Sequence, residues 1–76
     1  MAKPRFSKPT LELAAQVVFE YPEWGDEHIQ EMLATYRACG DKPPCTADQL
    51  EDACKLLQKQ KDAGLNFQEA IDAAAK

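Results

Sequence analysis

At 76 residues the chain has room for one small domain and no second one. Hydrophobic residues make up 45% and charged residues 29%, the balance expected of a folded soluble protein, and no apolar run approaches the ~18 residues of a membrane span. The net charge of −4 is unevenly spread: residues 1–19 carry Lys3, Arg5 and Lys8 against Glu12, whereas residues 20–40 carry Glu20, Glu23, Asp26, Glu27 and Glu31 against Arg37 alone.

Residues 1–8 read as a flexible basic arm, with Pro4 and Pro9 and little to bury apart from Phe6. The domain proper is expected over 9–76. Thr10 is the expected N-cap of a first helix over about 11–20. Leu11, Ala14, Ala15 and Val18 follow the i, i+3, i+4, i+7 pattern, and Leu13 and Val17 widen that stripe, so this helix should be the most buried. A strand through Val17-Val18-Phe19 is rejected because no second strand is evident to pair with it. Pro22 ends the helix by excluding Tyr21 from the α region.

After the turn Tyr21 to Gly25, Asp26 is the expected cap of a second helix over about 27–39, with Ile29, Met32, Leu33 and Tyr36 as its apolar stripe. Gly40 stops it, and Pro43-Pro44 stiffen the loop that follows. Thr46 and Gln49 have capping-box spacing and open a third helix over about 47–63, with a core stripe of Leu50, Ala53, Cys54 and Leu57. Gly64 and then Leu65 predict a Schellman ending. Asn66 with Glu69 opens a fourth helix over about 67–75, expected to bury Phe67, Ala70, Ile71 and Ala74. The fold class is therefore all-α, a compact bundle of four short helices. A domain this small buries only roughly 60–65% of its unfolded surface, so capping and packing must be good.

The chemistry-bearing residues are few. Three cysteines spaced C-x5-C-x8-C contain no C-x2-C pair, and His28 and Cys39 stand roughly 16 Å apart along one helix, so no metal site is expected. An odd cysteine count reads as reduced thiols, although Cys39 and Cys45 could close the intervening loop as a disulfide. Cys45, just before a helix N-terminus that would lower its pKa, is the best nucleophile candidate, and His28 is the only base to pair with it. No oxyanion donor or orienting group accompanies them, so no catalytic residues, no cofactor and no enzyme activity are expected.

Helix-turn-helix DNA binding is also disfavoured. The second and fourth helices present Glu27, Glu31, Glu69 and Asp72, which would repel phosphates. The turn between the first two helices is more informative. Trp24 lies among Tyr21, Pro22, Glu23 and Asp26, an aromatic group rimmed by acids, as in a binding hot spot. The expected function is a small non-enzymatic interaction or regulatory protein of phage or plasmid type, a regulator or inhibitor. It would bind a basic protein surface through Tyr21, Glu23, Trp24, Asp26, Glu27 and Glu31, with Trp24 as apolar anchor. Trp24 closing one end of the core is the competing role for that side chain. The alternative function is a helical DNA-binding or DNA-associated transcriptional regulator using Lys3, Arg5 and Lys8. A cytoplasmic location is expected, since no signal-peptide apolar core follows the basic arm. A homodimer is considered because Leu13, Val17, Phe19 and Met32 exceed what one buried face per helix requires.

Overall fold

The computed structural model describes residues 6–75, which form four helices and, among the described residues, no strand. The basic positions Lys3 and Arg5 lie outside the described residues. α1 runs Lys8–Glu20, α2 Asp26–Ala38, α3 Ala47–Asp62 and α4 Phe67–Ala74. The all-α bundle is thus as the sequence indicates. α3 is its hub, packing on α1, α2 and α4, while α1 and α4 also pack on each other. α2 is attached mainly through α3.

α1 begins earlier than its capping residues suggest. Ser7 holds the extended N-cap position, and Pro9 sits in the first helical turn, where its missing N–H has no helical acceptor to lose. Thr10 is therefore not the cap but a buried helical residue, 3% exposed. Its hydroxyl pairs with that of Ser7 at 2.8 Å and reaches the Pro44 carbonyl at 3.5 Å. Leu11, Leu13, Ala14, Ala15, Val17 and Val18 are all buried, making α1 the most buried helix. Leu13 and Val17 are covered within the chain itself, whereas Phe19 and Met32 pack only partly on the core.

α1 ends where Tyr21 leaves the helical region before Pro22. Its last turn holds no basic residue of its own. Lys61 of α3 compensates by donating from Nζ to the Val18 carbonyl at 3.2 Å, while lying 5.5 Å from the Phe19 ring centroid.

α2 differs from expectation at its cap as well. Gly25, not Asp26, occupies the N-cap, and Asp26 is the first helical residue. The Gly25 N–H donates to His28 Nδ1 at 3.1 Å, so the imidazole supplies the return bond that Glu or Gln supplies in a capping box. Ile29 and Leu33 are buried; Met32 and Tyr36 are half-buried.

The punctuation of α3 and α4 matches the sequence closely. Thr46 Oγ1 accepts from the Gln49 N–H at 3.2 Å, and Gln49 Oε1 accepts from the Thr46 N–H at 3.0 Å. Asn66 and Glu69 repeat the arrangement at 2.8 and 3.0 Å. At the end of α3 the Gly64 N–H donates to the Lys61 carbonyl and the Leu65 N–H to the Gln60 carbonyl, the two bonds of a Schellman motif. Gly64 has φ +94°, and a Cβ built there would meet nothing within 4 Å. Gly64→Ala is therefore expected to cost about 1 kcal/mol through backbone conformation alone. A urea titration checks this, and an unchanged midpoint would contradict it.

Phe67 is the exception in α4. It is 39% exposed rather than buried, and packs edge-on against Phe19 with ring centroids 5.7 Å apart. Ala70 and Ile71 supply the buried face, with Ala74 half-buried beside them.

Candidate protein-binding surface

The segment joining α1 to α2 is fastened at both ends. The Trp24 N–H donates to the Tyr21 carbonyl at 2.9 Å, which closes the turn around Pro22. The Trp24 indole Nε1 donates to Gln58 Oε1 of α3 at 3.0 Å, and Gln58 Nε2 donates onward to Asp62 Oδ1 at 2.9 Å. Trp24 is half-buried and packs against the core. Of the two roles the sequence leaves open for Trp24, the placement is that of a side chain closing one end of the core, and it holds the turn on α3.

Tyr21 is the aromatic that the turn presents. It is 40% exposed and stacks on His28, with ring centroids 4.6 Å apart and planes inclined by 30°. The spacing of Tyr21 and His28 in the chain gives no hint of this contact, because the turn geometry creates it. Glu20, Tyr21, Pro22, Glu23 and His28 together line an open concavity of about 470 Å³. Glu20 and His28 thus join Tyr21 and Glu23 at one site, although neither stood in the candidate set.

The remaining acids, Asp26, Glu27 and Glu31, are all exposed on α2. Asp26 and Glu27 occupy its first turn, where they also favour the helix dipole. Glu27 and Glu31 stand at i and i+4, one above the other on the same face. No side chain among the described residues forms an ion pair with any of these carboxylates. Of the alternative basic set, Lys8 is exposed at the start of α1, while Lys3 and Arg5 lie outside the described residues.

The thiols are all unpaired: Cys39 is exposed, Cys45 half-buried and Cys54 buried, so Cys39 and Cys45 do not form a disulfide here. Burial pushes the Cys45 thiol up, against a smaller lowering by its hydrogen bond to Thr10. This reverses the expectation of a lowered pKa at the α3 N-terminus, because desolvation outweighs the local field. Cys54 is pushed up to about 12, by burial first and by Cys45 and Glu51 next. His28, the only base that could pair with Cys45, has its Nδ1 committed to the Gly25 N–H.

Among the described residues no three His, Cys, Asp or Glu side chains converge to hold a metal, and no helix is long and apolar enough to cross a membrane. No protein-family model, curated protein or solved structure matches the chain.

Proposed function

We propose that this chain is a small non-enzymatic interaction or regulatory protein that binds a basic surface on another protein. The observation that carries the reading is the placement of the exposed Tyr21 ring beside unpaired carboxylates on one rigid turn and the helix it opens. An exposed aromatic on a fixed backbone supplies contact area at low entropic cost, and carboxylates around it steer a cationic partner and fix its orientation. Glu23, Asp26, Glu27 and Glu31 fill that steering role. Trp24 contributes by holding the turn to Gln58. The unpaired thiols suit a reducing compartment such as the cytoplasm.

The test is capture from a lysate of the source cell by the wild type and by the charge-reversed Glu27→Lys/Glu31→Lys variant, at low and high salt. The expected result is a basic protein retained by the wild type, weakened by salt and lost with the variant. Equal capture by both forms would refute the acidic surface as the working one. Retention on duplex DNA at physiological salt would instead favour a DNA-associated role.

A further inference from the structure

We propose that the concavity between the end of α1 and the first turn of α2 receives one arginine side chain of the partner, a refinement that rests on the function proposed above. Its wall carries an exposed Tyr21 ring and two carboxylates, Glu20 and Glu23. The face of an aromatic ring attracts a cation, and a planar guanidinium stacks on it in a way a lysine ammonium does not. The same guanidinium presents several N–H donors in a fork, suited to carboxylates at the rim.

The wall holds no lysine or arginine. Neither carboxylate is ion-paired with a described residue. His28 Nδ1 is engaged with the Gly25 N–H. Lys61, the cation from α3 near this end of α1, is engaged with the Val18 carbonyl.

Glu20 supplies an independent argument. It is the last residue of α1, where the helix dipole disfavours a carboxylate, and Lys61, the cation that reaches this helix end, bonds the Val18 carbonyl rather than Glu20. With no ion-pair partner among the described residues, that carboxylate is left available to a cation from outside the chain. The larger concavity between the start of α1 and the end of α4 lacks this character: it is mostly apolar, and its only charges, Lys8 and Asp72, oppose each other.

Titration of the full chain with a penta-arginine peptide, followed by NMR, tests the assignment, with penta-lysine and penta-citrulline as controls. The expected result is a shift of the Tyr21 and His28 ring signals, strongest with arginine and absent with citrulline. Glu20→Gln/Glu23→Gln should weaken that response roughly ten-fold. Glu20→Gln alone should raise the thermal midpoint while weakening binding, which a purely structural Glu20 would not do. Shifts confined to Glu27 and Glu31, with Tyr21 unmoved, would overturn the arginine site and leave the broader acidic surface standing. No shift anywhere would overturn both.

Discussion

Leu57→Ala is expected to remove about 3 kcal/mol of stability, a large share of what a chain this short can have. Leu57 is fully buried on α3, the helix that touches all three others, so the vacated volume opens at the centre of the bundle. Surrounding helices fixed by capping boxes and Schellman bonds cannot collapse far into such a space. A chain of this length has a total stability of only roughly 4–11 kcal/mol. The neighbouring Leu56 is half-buried, and Leu56→Ala should cost only about 1 kcal/mol. Urea titrations of both variants, followed by circular dichroism, check the pair; equal midpoints would refute the placement of the core on α3.

Raising the pH above about 9 should destabilise the protein through Cys54. Its thiol pKa moves from 9.0 to about 12 in the folded chain. Between those values the unfolded chain has released the proton and the folded chain has kept it. The folded state therefore binds more protons, and stability falls as pH rises. The contribution is intact below pH 9 and is lost progressively toward 12, at a slope on the order of 1.4 kcal/mol per pH unit. Cys54→Ala should lower stability at pH 8 by removing a buried side chain, yet flatten the decline between pH 8 and pH 10. Urea midpoints at the two pH values measure this directly. Parallel declines in wild type and variant would mean that another group governs the alkaline limb. The exposed Cys39 should react promptly with a thiol reagent in the folded state, whereas Cys54 should wait for unfolding.

The candidate site was legible in part. Its acids and aromatics cluster within one stretch of chain, so residues 20–31 could be singled out from spacing and charge alone. The division of labour between Trp24 and Tyr21 could not. Trp24 turns inward because α3 places Gln58 where it can accept the indole N–H, a pairing across the fold that the sequence leaves open. Once Trp24 is held there, Tyr21 faces outward beside His28, and Glu20 enters the same concavity from the preceding turn.

What the sequence by itself determined was the set of local structures. The Thr46–Gln49 and Asn66–Glu69 boxes, the Gly40 and Gly64 stops and the Leu50-Ala53-Cys54-Leu57 stripe all depend on groups within a few residues of one another. Their bonds close over the same short distances in almost any surroundings. Tertiary packing decided the rest: Thr10 drawn into the core beneath Pro44, Phe67 left half in solvent against Phe19, and Lys61 capping a helix other than its own. Each of those outcomes depends on how two helices approach in space, and that approach is set by the volumes of all the buried side chains together rather than by any one stretch of chain.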